Sequence, residues 1–175
     1  MNVLLHICCG ICASGVIEQL KEEGFRITGY FYNPNIYPVD EYNRRLEVVY
    51  QVADIFKFEL ITGEYDNDEW VKLTKGMENE CEGGIRCKMC FDMRLKNTYN
   101  MAQKLKNISY IATTLSISPH KDVSIINMIG SSLAGDMFLR RDFKKNDGFK
   151  KTVEFAKRFK LYRQNYCGCI YSMRD

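Results

Sequence analysis

Short apolar, β-branched runs alternate along this chain with longer stretches that carry an apolar stripe of helical period. That alternation restricts the fold more than any other feature. Residues 2–7, 26–32, 58–61 and 108–115 read as strands, the last apolar enough for a buried central strand. A helix is expected over residues 13–23, where Val16, Ile17 and Leu20 form the stripe and Gly24 ends it. Another covers 39–55, with Tyr42, Leu46, Val49 and Ala53 on one face, and further helices cover 67–76, 86–105, 122–133 and a basic 148–159. Residues 137–139 offer a fifth strand. Strands alternating with helices imply a parallel sheet covered on both faces. The expected fold is therefore a three-layer, Rossmann-like α/β sheet of HUP type, strand order 3-2-1-4-5, with a cysteine-bearing C-terminal tail. Ligands of such sheets bind beyond the carboxyl ends of the strands, at the switch point between strands 1 and 4. Cys8-Cys9 follows strand 1 and Ser116-Ile117-Ser118-Pro119-His120 follows strand 4, so both open onto one crevice.

At 175 residues, with three prolines, no repeat and no linker-like stretch, the expectation is one α/β domain over 1–175. No apolar run approaches the roughly 20 residues that span a bilayer. Met1 leads straight into the first strand with nothing resembling a secretory signal, so a cytoplasmic protein is expected. The net charge of +3 identifies no partner, but its distribution is uneven. Residues 140–163 hold ten Lys/Arg against three acids, a net +7 that leaves −4 elsewhere. Such a segment suits either a phosphate-facing surface or a solvated amphipathic helix.

Eight cysteines fall in tight groups: Cys8-Cys9 with Cys12, a lone Cys81, Cys87-x-x-Cys90, and Cys167-Gly168-Cys169. In a chain without an export signal this reads as metal or redox chemistry and not as a disulfide scaffold. Cys87 and Cys90 at i, i+3 on a helix put both sulfurs on one face. They suit half an iron–sulfur site, half a zinc site or, less well placed, a thioredoxin-like pair. Cys8 and Cys9 at a loop mouth can both turn toward one centre, and the helix N-terminus that follows favours thiolate. Four thiolates from the two pairs meet the demand of a 4Fe-4S cluster and equally of an all-cysteine zinc site; the vicinal pair favours the former. Cys12 either ligates a further metal or packs on the sheet, and Cys81 has no partner at useful spacing. Cys167-Gly168-Cys169 reads as a redox pair, since a disulfide between them closes a small strained ring whose backbone Gly168 relieves. Its alternatives are a metal knuckle or two free thiols.

His120 and Lys121 stand at the strand-4 exit, where a proton donor or anion contact belongs, while His6 is expected to be packed within strand 1. Phe31, Tyr32, Tyr37 and Tyr42 flank the strand-2 exit as base-stacking platforms or as ordinary core. Neither a P-loop nor a G-x-G-x-x-G is present, so no conventional nucleotide site is supported. A zinc enzyme of the same fold, thiolating tRNA or transferring nucleotidyl groups, needs a phosphate-cradling loop that Cys8-Cys9-Gly10-Ile11-Cys12 does not provide. A zinc-stabilised RNA-binding module leaves the Cys-Gly-Cys pair without a use.

Together the segments resemble the QueH-type epoxyqueuosine reductases. The resemblance rests on Leu4-Leu5-His6-Ile7-Cys8-Cys9-Gly10-x-Cys12, on Tyr32-Asn33-Pro34-Asn35-Ile36-Tyr37-Pro38, and on Glu82-Gly83-Gly84-Ile85-Arg86-Cys87-x-x-Cys90-Phe91-x-x-Arg94-Leu95. It continues through Thr113-Thr114-Leu115-Ser116-Ile117-Ser118-Pro119-His120-Lys121, Asp142-Phe143-Lys144-Lys145 and Tyr162-Arg163-Gln164-Asn165-Tyr166-Cys167-Gly168-Cys169. The family often shows Ala-Pro where Gly10-Ile11 stands and Pro where Cys81 stands, and neither departure touches a candidate ligand. The resemblance implies an oxidoreductase of tRNA queuosine biosynthesis that reduces the epoxide of epoxyqueuosine, at the wobble position, to a cyclopentene. It further implies a 4Fe-4S cluster on Cys8, Cys9, Cys87 and Cys90, a redox-active disulfide at Cys167–Cys169, and an additional iron with Cys12 among its ligands. The partners are then a tRNA containing epoxyqueuosine and an electron donor that the sequence leaves unidentified, as it does the oligomeric state. His120, Lys121, Asp142 and a tyrosine are the candidate proton donors.

Overall fold

The computed structural model describes residues 1–173. Four parallel strands, β1 (Asn2–His6), β2 (Arg26–Phe31), β3 (Glu59–Thr62) and β4 (Tyr110–Thr113), lie in the order β3-β2-β1-β4. Six helices connect and cover them: α1 (Gly10–Glu22), α2 (Val39–Phe56), α3 (Asn67–Leu73), α4 (Ile85–Leu105), α5 (Val123–Ala134) and α6 (Gly148–Arg158). Alternation along β1 divides the core between the two faces of the sheet. Val3, Leu5 and Ile7 pack with α1, α2 and α6, whereas Leu4 packs with Phe91 and Leu95 of α4 and Ile126 of α5. Every one of these strand side chains is fully buried, contributing about 1.5–3 kcal/mol each.

The expected fifth strand is not formed. Residues 137–139 make one parallel bridge, Ile111 with Phe138, closed by the Leu139 N–H donating to the Ile111 carbonyl at 2.9 Å. The chain reaches this point from a 3-10 turn at Gly135–Met137 and leaves it with Arg140 bonded to Ser131 and Arg141 paired with Glu23. Phe138 turns its ring onto Gly130 of α5, where an added Cβ would lie 2.3 Å from the ring. Docking that ring fixes the segment after a single ladder contact. The fourth strand is also shorter than its apolar run implies, because Thr113 caps a 3-10 turn, Thr114–Ile117, by accepting the Leu115 N–H at 3.1 Å.

Local signals account for the helix ends that matter to the site. Cys9, extended at φ −162°, is the N-cap of α1, its sulfur accepting the Cys12 N–H at 3.3 Å. Asp122 caps α5 by accepting from Ser124 N at 2.8 Å. Gly83, at φ +88°, turns the chain into α4, which presents Cys87 and Cys90 one turn apart.

Candidate functional site

The carboxyl ends of β1 and β4 open into a cleft of about 490 Å3. Cys8 and Cys12 form part of its floor, Ser118, Pro119, His120 and Lys121 one wall, Phe149, Thr152 and Val153 of α6 another, and residues 163–167 the rim. The β1 and β4 exits therefore share one crevice. Cys8 is fixed at both its backbone and its sulfur, its N–H donating to Thr114 Oγ1 at 2.9 Å while the Thr114 hydroxyl donates to its sulfur at 3.1 Å.

The sulfurs of Cys8, Cys9 and Cys12 all lie within 4.8 Å of one another. Hydrogen bonds from Cys12 and then Cys9 hold the Cys8 thiol well below its ordinary pKa, against the effect of burial. Cys12 gives its hydrogen bonds to Cys8 and Cys9 and is pushed up in consequence. Cys9 is pulled down by Cys12, but its bond to Cys8 and its burial prevail and push it up to about 12. The trio thus favours thiolate at Cys8 and thiol at Cys9 and Cys12, and metal binding to it would release protons.

Cys87 and Cys90 are not part of that trio. Cys87, whose sulfur accepts the Gly83 N–H at 3.2 Å, packs on the same apolar cluster as Cys8. Cys90 is buried with Trp70 and Cys169. Burial raises the thiol pKa of both. The tail lies between the two groups: Cys167 faces the cleft beside Cys8 and Cys12, and Cys169 packs against Cys90. All eight cysteines are unpaired, and Cys81 is exposed and belongs to neither group.

Arg94, buried, and Lys121, half-buried, are cations that face these sulfurs. Arg94, only 3% exposed, donates to Asn33 Oδ1 at 2.5 Å and reaches the Cys90 sulfur at 3.9 Å; its Nε has no partner. No carboxylate pairs with it among the described residues. Burial works against the ammonium of Lys121, yet Cys167, Cys8 and Cys12 together hold its pKa above the ordinary lysine value. His6, behind the site, contacts Thr113 Oγ1 at 2.9 Å and the Tyr32 carbonyl at 3.2 Å. Burial, reinforced by Arg94, lowers its pKa to about 3, so this imidazole is neutral scaffolding. Among the candidate proton donors His120, Lys121 and Tyr166 line the cleft, while Asp142 pairs with Lys144 outside it. Phe31, Tyr32 and Tyr42 are core residues, and only Tyr37 of that group is exposed.

The family model described as Epoxyqueuosine reductase QueH matches residues 3–175. The chain belongs to the QueH family. QueH proteins named epoxyqueuosine reductase include that of Streptococcus pyogenes serotype M1, 38% identical over 99% of this chain and 71% of its own length. Those of Haemophilus influenzae and Thermotoga maritima are 40% and 35% identical, again over 99% of this chain and over 72% and 91% of theirs. Among solved structures, the U34-tRNA thiolase NcsA from Methanococcus maripaludis, with its [4Fe-4S] cluster, superposes at a TM-score of 0.60 and 14% identity. The match covers 99% of this chain and 62% of that one, and it establishes the shared α/β fold.

Arg94 stands in a motif that marks the QueH resemblance, but nothing in the sequence marked it as a buried cation. Glu41 and Arg45, which form a buried ion pair at 2.7 Å, escaped notice as well. The available signal was their i, i+4 spacing on the same stripe of α2 as Tyr42 and Val49. Charge on an apolar stripe marks a buried polar network.

Proposed function

We propose that this chain reduces the epoxide of epoxyqueuosine in tRNA to the cyclopentene of queuosine, the last step of queuosine biosynthesis, and does so in the cleft beyond β1 and β4. The observation that carries the proposal is the cleft of a QueH-family chain lined by Cys8, Cys12 and Cys167 and faced by Arg94 and Lys121, which have no carboxylate partner among the described residues. Deoxygenation of an epoxide consumes two electrons and two protons and releases one water. Cys167 and Cys169 supply that balance: two S–H bonds break, one S–S bond forms, and both electrons and protons pass to the substrate. Lys121 and His120 line the cleft where the opening epoxide oxygen needs a cation or a proton. An unidentified reductant then returns the disulfide to the dithiol.

Cys8, Cys9, Cys87 and Cys90 are the residues that would hold a 4Fe-4S cluster, which when bound delivers electrons singly. The donor set fits: Arg94, buried and without a carboxylate among the described residues, calls for an anionic neighbour, and a thiolate-ligated cluster is one. The trio Cys8, Cys9 and Cys12 also suits a single ion, for which bonds of about 2.3 Å place sulfurs roughly 3.8 Å apart. The three sulfurs, within 4.8 Å of one another, come close enough to that spacing to support an additional iron with Cys12 as a ligand. The tRNA would lie along α6, whose Lys150, Lys151, Lys157 and Arg158 project from it and whose other side lines the cleft. We read residues 1–175 as one cytoplasmic domain; no helix among the described residues is long and apolar enough to cross a membrane.

The decisive experiment is anaerobic incubation of the purified protein with epoxyqueuosine-containing tRNA and dithionite, followed by mass spectrometry of the nucleosides. Queuosine is the expected product, with about four or more irons per chain lost on Cys87→Ala. Full iron and no queuosine would assign the chain to another tRNA reaction.

A further inference from the structure

The segment that carries Cys167 and Cys169 belongs to no α-helix or strand, yet it is tethered at successive residues to the start of α2. The Gly168 carbonyl accepts the Tyr37 N–H at 2.8 Å, and the Tyr166 hydroxyl donates to the Tyr37 carbonyl. Arg45, 2% exposed, donates from Nη1 to the Cys167 carbonyl at 2.9 Å and from Nη2 to the Tyr166 carbonyl at 3.1 Å. Its third edge, Nε, is held by Glu41 at 2.7 Å, and Glu41 also accepts the Tyr162 hydroxyl at 2.9 Å. The Tyr166 ring lies 5.0 Å from the guanidinium. Gly168, at φ +135°, sits directly on Arg45: an added Cβ would stand 3.0 Å from Nη1. The fork of one guanidinium is thus divided between an anchoring carboxylate and the backbone of the cysteine pair, a task the point charge of lysine does not perform.

The clamp fixes the backbone while the two sulfurs face different surroundings. Cys167 lines the cleft, and Cys169, 8% exposed, packs against Trp70 and Cys90. The two thiols are unbonded in this arrangement, so closing a disulfide draws at least one sulfur from its surroundings against a backbone that is clamped.

We propose that Arg45, anchored by Glu41, is a positioning residue for the Cys167–Gly168–Cys169 pair, which it keeps in the dithiol arrangement and so makes a stronger oxidant once oxidised. The inference rests on the reading of this pair as the redox couple. Oxidation breaks two S–H bonds and forms one S–S bond, its two electrons and two protons going to the epoxide substrate or, in the assay, to oxidised dithiothreitol. The clamp resists the rearrangement that this bond requires, so its removal lowers the reduction potential of the pair.

The test uses the anaerobically purified, iron-containing full chain and its R45Q and R45K variants. Differential alkylation and mass spectrometry give the disulfide-to-dithiol ratio of the pair across dithiothreitol redox buffers. Both variants are expected to raise that ratio at least tenfold at a fixed buffer, a shift of about 30 mV. Iron content should be unchanged, and kcat for tRNA reduction should fall with the KM for tRNA retained. Should R45Q fail to fold, R45K, which keeps the buried charge, decides alone. An unchanged or lowered ratio in a folded variant overturns the proposal. The Cys167→Ser/Cys169→Ser double variant tests the underlying reading separately: its unimpaired turnover would remove the redox couple, whereas a shifted ratio would still establish the clamp.

Discussion

Replacing Arg94 with Met should weaken metal binding while costing the metal-free fold little. The guanidinium is 3% exposed, pairs with no carboxylate among the described residues, and has one N–H edge unsatisfied. In the metal-free protein, where burial keeps Cys90 protonated, the Cys8 thiolate offsets the burial of that cation only in part, and an apolar side chain of similar length relieves the remainder. The change also strands Asn33 Oδ1, costing about 1 kcal/mol. The two effects oppose, so unfolding of the metal-free variant in urea should differ little from wild type or shift toward greater stability. Metal binding turns Cys90 into thiolate. At the 3.9 Å separation from Arg94 Nη1 the attraction is about 4 kcal/mol at an effective dielectric of 20. Relaxation and water entry reduce the amount lost to roughly 2–4 kcal/mol, a 30- to 1,000-fold weakening of metal affinity. Anaerobic titration with cobalt(II), followed through its thiolate charge-transfer bands against a competing chelator, measures this directly. Wild-type affinity in Arg94→Met, or a metal-free variant destabilised by more than about 3 kcal/mol, would refute the assignment of Arg94 as counter-charge to the thiolates.

Three further outcomes are expected. His6 is neutral in the fold, with its pKa lowered to about 3, so the unfolded chain takes up the extra proton as pH falls below 6.5. Stability is full above that pH and declines toward pH 3, by about 2 kcal/mol at pH 5; urea melts of the reduced, metal-free protein should show this slope, and His6→Gln should flatten it. Gly130→Ala drives a methyl into the Phe138 ring and should destabilise by about 1–3 kcal/mol in thermal melts, with Phe138→Leu in the same chain recovering part of the deficit. Reversing the charge of Lys150, Lys151 and Lys157 should weaken tRNA binding and reduce the slope of log affinity against log salt by about 1 for each phosphate no longer neutralised; an unaltered slope would move the tRNA off α6.

The sheet was legible because strand β1 declares itself twice, through its apolar run Val3-Leu4-Leu5 and through the helix that follows, and because parallel order follows from the alternation. The fifth strand misled because residues 137–139 satisfy the composition of a strand while the ring of Phe138 is claimed by Gly130. No local pattern reveals that competition. The cysteine groups were visible as groups, but their grouping in space was not: spacing allows two pairs to join, whereas the described arrangement brings Cys12 in with Cys8 and Cys9 and sets Cys90 against Cys169. Glu41 and Arg45 were hidden for a different reason. Their role is to hold carbonyls more than a hundred residues away, and the partner that justifies burying them carries no side-chain signature.

The cysteines around the cleft come from stretches of chain that lie far apart in sequence. Cys8 and Cys87 are almost eighty residues apart, and a metal centre joined to both would be a removable cross-link closing a loop of that size. By the chain-entropy estimate such a link disfavours the unfolded ensemble by about 4.5 kcal/mol. Cofactor loss and conformational opening would then be one event, beginning where the turn at Gly83 delivers α4 to the β1 loop. Iron limitation would then reach the protein as turnover by proteases together with the loss of catalysis.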